Sequence, residues 1–197
     1  MNYCLNRVQA LRKQWIKYDI DVPFEKYFEE KINWEVKNME YAQRLFNAYK
    51  KGESKVRWWM VTIRPKYEDT SFDVFKEHVE FYVSELPYIN LEYVFEQKGE
   101  STEDLGKGFH THIIFSTEKV NYWQSHILRD IKRKKYKFLE YTKANCIQVD
   151  SIVCLQRAQE YIRGIKKDNN KELSCSMDAE WRSKLGIVSI VTDTREN

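Results

Sequence analysis

The sequence predicts an α+β fold in which a central antiparallel sheet is flanked by helices and preceded by a helical extension. Two observations lead to this fold class. From about residue 56 onwards, strand-like and helix-like segments follow the order β, α, β, β, α, β, α, which is typical of a split βαβ arrangement. The 197 residues are also 42% hydrophobic and 15% aromatic, with only six Gly and three Pro, so they can form a packed core and are not low-complexity.

The first 54 residues are predicted to form a helical extension outside the main domain. Between residues 21 and 51, large apolar side chains recur at spacings near three and four, with Pro23 in the first turn. This spacing indicates one or two amphipathic helices. The segment Lys51-Gly-Glu-Ser54 ends the pattern, so we expect an extension over 1–54 and a domain over 55–197.

The domain contains four predicted strands and three predicted helices. β-Branched and aromatic residues mark the strands, and apolar stripes mark the helices, the first of which has Thr70 or Ser71 as its N-cap and Pro87 after its end. The predicted strands are 56–65, 89–96, 109–116 and 146–152, and the predicted helices are 70–85, 122–137 and 155–166. A polar loop over 98–108 joins the second strand to the third, which predicts a hairpin.

The composition argues against membrane-spanning and secreted classes of protein. Apolar runs are too short to span a bilayer, and no apolar signal core follows the first basic residues. Cys4, Cys146, Cys154 and Cys175 have neither CxxC spacing nor a zinc-like spacing with histidine. We therefore expect a soluble, intracellular protein with reduced thiols, in the cytosol or the nucleus.

Positive charge is concentrated in one part of the chain. Residues 129–171 contain twelve Lys or Arg and five Asp or Glu, a net charge of +7, whereas the remaining residues contain 21 basic and 25 acidic residues, a net charge of −4. Aromatic residues that can stack on bases lie near these charges: Tyr122, Trp123, Tyr136, Phe138 and Tyr141. The pattern predicts an anionic partner such as nucleic acid, although a solvated helix face beside core aromatics would share it.

Two histidines, His110 and His112, lie in the middle of an apolar predicted strand. Because side chains alternate along a strand, both rings project from one face, at a spacing that suits a single metal ion. Glu96 ends the preceding strand, where an antiparallel hairpin would bring it beside the pair. These ligands suit Mg²⁺ or Mn²⁺ recruited with a phosphate substrate, and Zn²⁺ as well. Glu100 is a reserve ligand, and two polar residues on an exposed strand face would show the same spacing.

Tyr161 lies on the last predicted helix, among positive charges. A phenol has an ordinary pKa near ~10, so its attack on an electrophile needs a metal-polarised target or nearby cations. Lys166 follows about one and a half turns later and would supply a cation. An interfacial tyrosine that packs its ring against the sheet would have the same neighbours in sequence.

The order of these features resembles the HUH endonuclease domain of replication initiator (Rep) proteins. The segments that carry the resemblance are Met60-Val-Thr-Ile-Arg-Pro65, the strand with Glu96, Phe109-His-Thr-His-Ile-Ile-Phe115, and Glu160-Tyr-Ile-Arg-Gly-Ile-Lys-Lys-Asp168. More narrowly, they resemble Rep proteins of circular single-stranded DNA viruses of eukaryotes, among them viruses of diatoms and other marine hosts. The resemblance covers about residues 56–186 and implies a ferredoxin- or RRM-like sheet.

The resemblance implies a metal site and a nucleophile. Glu96, His110 and His112 would hold the divalent metal, Mn²⁺ or Mg²⁺, and Tyr161 would attack the DNA. Thr111 stands between the histidines, where the family usually has a large hydrophobic residue.

The resemblance also implies roles for basic residues. The family usually has a lysine three residues after the tyrosine, but this chain has Gly164 there, so the assisting role passes to Lys166 or Lys167. We expect Lys166 to be catalytic. The residues expected to contact DNA are Arg64, Lys132, Arg133, Lys134, Lys135, Arg163 and Lys167.

The implied function is metal-dependent nicking of single-stranded DNA at the stem-loop of a replication origin. Strand transfer would proceed through a 5′-phosphotyrosine link and would start rolling-circle replication in the nucleus of an infected host cell. The chain has no GxxxxGK[ST] motif, so a helicase would be supplied by a further domain or by a separate protein in trans.

Two other classes of function fit parts of the same pattern. A non-catalytic nucleic-acid-binding module with a ferredoxin-like sheet would account for the strand order and the basic segment, but not for the Glu96, His110 and His112 cluster. A phosphoesterase without a covalent intermediate would use the two histidines as acid and base, with His78 or His126 as partner, and would not need Tyr161.

Overall fold

The structure, a computed structural model, describes residues 12, 22–51, 56–99, 101–119, 121–164 and 172–195. The chain divides into two compact units, Met1–Asn47 and Ala48–Asn197. Helix α1, Phe24–Lys50, is one uninterrupted helix where the sequence predicts one or two. In the first unit, the rings of Phe24 and Phe28 lie one turn apart with their centroids 5.9 Å from each other, and Ala42 is buried.

The second unit is built around a five-stranded antiparallel sheet with helices on both sides, which confirms the predicted α+β fold class. The strands are β1 Arg57–Pro65, β2 Asn90–Glu96, β3 His110–Thr117, β4 Leu139–Val149 and β5 Val191–Thr194. They lie side by side in the order β4-β1-β3-β2-β5. The first four strands have the order of a split βαβ fold, because each helical connection passes over one neighbouring strand.

In the part of the chain that the structure describes, four helices pack around the sheet. They are α2 Phe72–Ser84, α3 Gln124–Ile131, α4 Ile152–Ile162 and α5 Glu172–Lys184. Of the two predicted caps of α2, Thr70 and Ser71, the structure has Ser71, whose hydroxyl accepts a hydrogen bond from the Val74 amide at 3.4 Å. Ser151 caps α4 in the same way. Within the described ranges, every helix is too short or too polar to pass through a bilayer.

The two faces of the sheet have different roles. On one face, side chains such as Val61, Ile113 and Phe115 pack with Phe75 of α2 and Ile127 of α3 in the hydrophobic core. The residues that alternate with these, including the two histidines of β3, lie on the other face. This second face is partly covered by α4, whose buried residues are Leu155, Ala158, Gln159 and Ile162. The polar residues of interest therefore lie under α4, opposite the main core.

The predicted helix over 122–137 is wrong in its second half. Helix α3 ends at Ile131, and the chain continues through a 3-10 turn, Lys134–Tyr136. The turn brings Tyr136 back into the core, where its ring centroid lies 5.3 Å from that of Tyr82. Burial of this ring overrides the helix-forming tendency of the surrounding lysines.

Strand β4 begins earlier than the predicted strand over 146–152. Leu139 already pairs with Pro65, and the register shifts at a bulge between Thr62 and Arg64. Because β4 is an edge strand with many exposed side chains, its first half lacks the apolar alternation that marks a strand in sequence. Helix α5 and the four-residue strand β5 have no counterpart among the predicted elements.

Candidate metal centre

Strand register places the predicted ligands together. In the antiparallel pair of β2 and β3, Glu96 lies directly opposite His110, and His112 lies opposite Val94. Directly opposed residues share a face of the sheet, so the carboxylate and both imidazoles project to the same side. The hairpin predicted from the sequence is therefore the element that assembles this cluster.

The three side chains form a compact, buried cluster. One carboxylate oxygen of Glu96 lies 3.7 Å from Nε2 of His110 and 3.6 Å from Nε2 of His112. All three candidate ligand atoms lie within 4.8 Å of one another, and only 2% to 7% of each residue is exposed. Two imidazole nitrogens and a carboxylate at these separations can hold a divalent metal ion.

The hydrogen bonds of the two rings leave both Nε2 atoms suited to a metal. Nδ1 of His110 lies 3.2 Å from the carbonyl oxygen of Gly108, and since a carbonyl only accepts, this nitrogen carries the proton. Nδ1 of His112 lies 2.8 Å from the hydroxyl of Thr62, which can accept its proton. The buried Nε2 of His112 has no hydrogen-bond partner among the described residues, an arrangement that a bound cation would satisfy.

Burial also favours the metal-binding form of His110. Removal from water lowers the pKa of this imidazole to about 4, and the neighbouring His112 contributes in the same direction, against the opposite effect of Glu96. The ring is therefore neutral at physiological pH. Because a protonated imidazole cannot bind a metal, the low pKa keeps the ligand available.

The loop between β2 and β3 is held by the side chain of Gln97. Its amide oxygen accepts hydrogen bonds from the backbone amides of Gly99 and Gly106, at 2.5 and 3.2 Å. Gly106 and Gly108 have φ angles of +86° and +63°, which favour glycine. The loop thereby presents the carbonyl of Gly108 to His110. Glu100, the reserve ligand, lies outside the described residues.

Helix α5 forms hydrogen bonds to the backbone on both sides of Glu96. A carboxylate oxygen of Asp178, which is 2% exposed, accepts a hydrogen bond from the backbone amide of Gln97 at 2.8 Å. Arg182 donates to the carbonyl of Phe95 at 2.9 Å. These bonds are made by the two residues next to Glu96 in sequence, so α5 holds the end of β2 that carries this candidate ligand.

Tyr161 lies beside the cluster. Its ring centroid is 5.1 Å from that of His112, and the two rings meet edge to face at 88°. Both residues line a groove of about 580 Å³ that continues along β4. The groove lining includes Met60, Ile147 and Val149, together with Asn145.

The lysines expected to assist Tyr161 lie outside the described residues, since Lys166 and Lys167 fall in the gap between 164 and 172. Arg163, which the sequence predicts to contact DNA, forms an ion pair with Glu92 of β2 at 3.1 Å. Only 19% of its side chain is exposed. Its guanidinium is thus directed at the sheet.

The basic run lies at the turn after α3 rather than on a helix. Arg133 pairs with Asp130 at 2.7 Å, and Lys135 pairs with Glu85. A second groove, of about 340 Å³, lies beside the run. Basic and aromatic residues line it: Lys66, Lys132, Arg133, Lys134, Tyr136, Lys137 and Tyr141.

Lys132 lies over the ring of Tyr141, with Nζ 5.2 Å from the centroid. Such a pairing leaves a cation beside a flat ring, the combination that suits a nucleotide. Arg64 is exposed at the end of β1, where it lies opposite Glu140.

The other two histidines do not meet the cluster. His78 is on α2, on the core side of the sheet, and its ring centroid lies 4.9 Å from that of Phe138. His126 is on α3, where its ring nitrogen accepts a hydrogen bond from the Trp123 amide at 3.3 Å. Neither histidine can act with His110 and His112 on one substrate atom.

Sequence reasoning missed several residues of the site, namely Thr62, Glu92, Gln97, Gly108, Gln159 and Asp178. Thr62 lies in a predicted strand, but the register that sets it against His112 is a property of two distant segments. The positive φ of Gly108 is the one feature with a local signal, a glycine two residues before a histidine pair.

Comparison with protein-family models, curated proteins and solved structures finds no match for this chain.

Proposed function

We propose that this chain is a metal-dependent endonuclease and strand transferase for single-stranded DNA, of the HUH replication-initiator type. The observation that carries the proposal is the contact between Tyr161 and His112, because it joins a phenol to one ligand of a buried three-ligand cluster. A structural tyrosine needs no such neighbour. A binding module would need neither the buried cluster nor the unpartnered nitrogen that His112 has among the described residues.

The proposed metal is Mn²⁺ or Mg²⁺, although the same donors accept Zn²⁺. Held by Glu96, His110 and His112, it would polarise the scissile phosphate and offset charge that develops in the transition state. The protein would supply the imidazole of His110, which is neutral and whose Nδ1 proton is held by the carbonyl of Gly108, and the imidazole of His112, whose Nδ1 is hydrogen-bonded to the hydroxyl of Thr62. It also keeps most water away from the ligand atoms, because all three ligand residues are buried.

Tyr161 acts as the nucleophile in the proposed reaction. Its phenolic oxygen forms a bond to phosphorus and loses its proton, while the bond from phosphorus to the 3′ oxygen breaks and that oxygen takes up a proton. The products are a 5′-phosphotyrosine link and a 3′-hydroxyl that primes a polymerase. Because the link conserves the phosphodiester bond energy, a later 3′-hydroxyl can reverse the step without ATP. Lys166 is the proposed cation that favours the phenolate.

The proposed substrate is single-stranded DNA at the stem-loop of a replication origin. The apolar groove beside Tyr161 would receive unpaired bases, and the basic groove with Lys132 over Tyr141 would hold the backbone and stack a base. In this proposal the protein acts in the nucleus of an infected cell. Duplex unwinding would come from a helicase domain or a separate protein.

The test is covalent capture. The protein is incubated with labelled stem-loop and linear single strands in Mn²⁺, and products are separated under denaturing conditions. A protein–DNA adduct with Tyr161 in the linked peptide supports the proposal. Cleavage without an adduct in a wild-type time course would favour water as nucleophile, and binding without cleavage would favour the non-catalytic module.

A further inference from the structure

Glu92 of β2 joins the sheet to the last turns of α4 through two hydrogen bonds. One carboxylate oxygen accepts from Nε2 of Gln159 at 2.5 Å, and the other accepts from the guanidinium of Arg163 at 3.1 Å. Gln159 is 7% exposed, and the Glu92 and Arg163 side chains are 14% and 19% exposed. The carboxylate is therefore bound from both sides in a partly buried position.

Both donors come from the segment that carries Tyr161. Gln159 and Arg163 are four residues apart and share one side of the helix end, with Tyr161 midway between them in sequence. At ~100° per residue, Tyr161 lies on roughly the opposite side of the helix from either donor. Two bonds to one carboxylate restrict both rotation and sliding of this helix end, which sets where the Tyr161 ring is held.

The same strand carries a metal ligand. Glu92 and Glu96 lie on one face of β2, and Val94 between them lies opposite His112. At about 3.3 Å per residue, the two residues are about 13 Å apart along the strand. The strand that supplies Glu96 to the cluster therefore also anchors the helix that supplies Tyr161.

We propose that Glu92 is a positioning residue for the nucleophile, acting through Gln159 and Arg163 to hold Tyr161 against His112. This inference rests on the proposed function. It gives Arg163 a role inside the protein in place of the expected contact with DNA. An ion pair that served only stability would not need to bridge the two residues on either side of the tyrosine.

The experiment compares Glu92→Gln, Arg163→Met and Arg163→Lys with wild type in adduct formation with a single-stranded stem-loop. At saturating DNA and Mn²⁺, we expect the first two variants to form adduct about 10- to 100-fold more slowly, since a misplacement near 1 Å costs about that much. KM for DNA and the Mn²⁺ affinity should change less than about twofold. Arg163→Lys, which keeps the charge, should recover most of the rate.

A double variant, Glu92→Gln with Arg163→Met, should be no slower than the slower single variant, because both changes break one connection. Lys184→Met is the matched control. It removes a 2.8 Å ion pair with Glu180 on α5 and should leave the rate unchanged.

A second measurement needs neither DNA nor metal. Nuclear Overhauser contacts between the rings of Tyr161 and His112 should be present in wild type and weakened in Glu92→Gln. Unchanged ring contacts overturn the inference, whatever the activity. The inference is also overturned if Glu92→Gln lowers the rate, the DNA affinity and the Mn²⁺ affinity equally, because Glu92 would then support the fold as a whole and not the position of Tyr161.

The outcome for wild type separates the two proposals. If wild type forms no adduct, the proposed function fails, and the ring contacts alone decide whether Glu92 positions Tyr161. If wild type forms the adduct and Glu92→Gln forms it at the same rate, only the positioning role fails.

Discussion

Thr62 and His112 lie opposite each other on β1 and β3, and the hydroxyl oxygen of Thr62 is 2.8 Å from Nδ1 of His112. This hydrogen bond joins a third strand to the cluster formed by the β2–β3 hairpin. It holds the ring so that the buried Nε2 faces Glu96 at 3.6 Å. Thr62, which is not itself a candidate ligand, therefore sets the orientation of one candidate ligand.

Thr62→Val should weaken Mn²⁺ binding by about 10- to 100-fold. Valine keeps the shape of threonine but cannot accept the Nδ1 proton of His112, so the ring is no longer held in its orientation and a second buried nitrogen is left without a partner. Isothermal titration with Mn²⁺ measures the change. Thr62→Ser, which keeps the hydroxyl, should bind nearly as wild type does, and equal affinity in wild type and Thr62→Val would refute the role of this hydrogen bond.

Replacing both His110 and His112 with alanine should abolish nicking and leave most of the DNA affinity. In the proposed reaction the cluster serves the chemical step, and the basic groove is on another part of the sheet. EDTA should have the same effect on wild type, with recovery on addition of Mn²⁺ or Mg²⁺. The control is His78→Ala with His126→Ala, which should keep the nicking activity because neither histidine reaches the cluster. Loss of nicking in a folded control variant would contradict the assignment of the chemistry to His110 and His112.

Stability of the metal-free protein should fall as the pH is lowered from about 6.5 to about 4. Burial lowers the pKa of His110 to about 4, below its ordinary value, so within this window the unfolded chain binds a proton that the folded chain does not. The contribution of His110 to the free energy of unfolding is fully present above the unfolded pKa and is about 3 kcal/mol. Urea unfolding in EDTA measures it, and His110→Gln should have a flatter pH dependence; an equal slope in both proteins would contradict the assignment.

Salt dependence should separate Lys132 and Lys134 of the basic groove from the cations that are paired with carboxylates. The binding constant for DNA falls as salt is added, and the double variant Lys132→Gln with Lys134→Gln should reduce the magnitude of the slope of log K against log salt by about two. The change is about one for each phosphate that the variant no longer neutralises. Arg133→Gln with Lys135→Gln removes the same charge, but these residues are paired with Asp130 and Glu85, so a smaller change is expected. Fluorescence anisotropy with a labelled single strand gives both slopes, and equal slopes in all variants would show that the groove does not bind DNA.

Tyr161→Phe should bind Mn²⁺ and DNA as wild type does, yet form neither adduct nor nick. Phenylalanine keeps the ring that packs edge to face on His112 and removes only the oxygen that would attack phosphorus. Denaturing electrophoresis of labelled reactions measures both products. A remaining adduct would mean that another tyrosine is the nucleophile, and mass spectrometry of the linked peptide would name it.

Local pattern was enough to predict much of the fold. Alternation placed His110 and His112 on one face of a strand, and the intervening polar loop predicted the hairpin that brings Glu96 to them. A cap at Ser71 could be predicted because its hydrogen bond spans only three residues. Each of these features depends on residues close in sequence, where spacing and residue type carry the information.

Only the tertiary structure decided how distant segments meet. The register of β1 against β3 brings Thr62 opposite His112, and the packing of α4 against the sheet directs Arg163 towards Glu92. The burial of Tyr136 likewise ended α3 earlier than its own sequence predicts. These outcomes depend on the summed packing of the whole sheet and its helices, in which no single segment contains the signal.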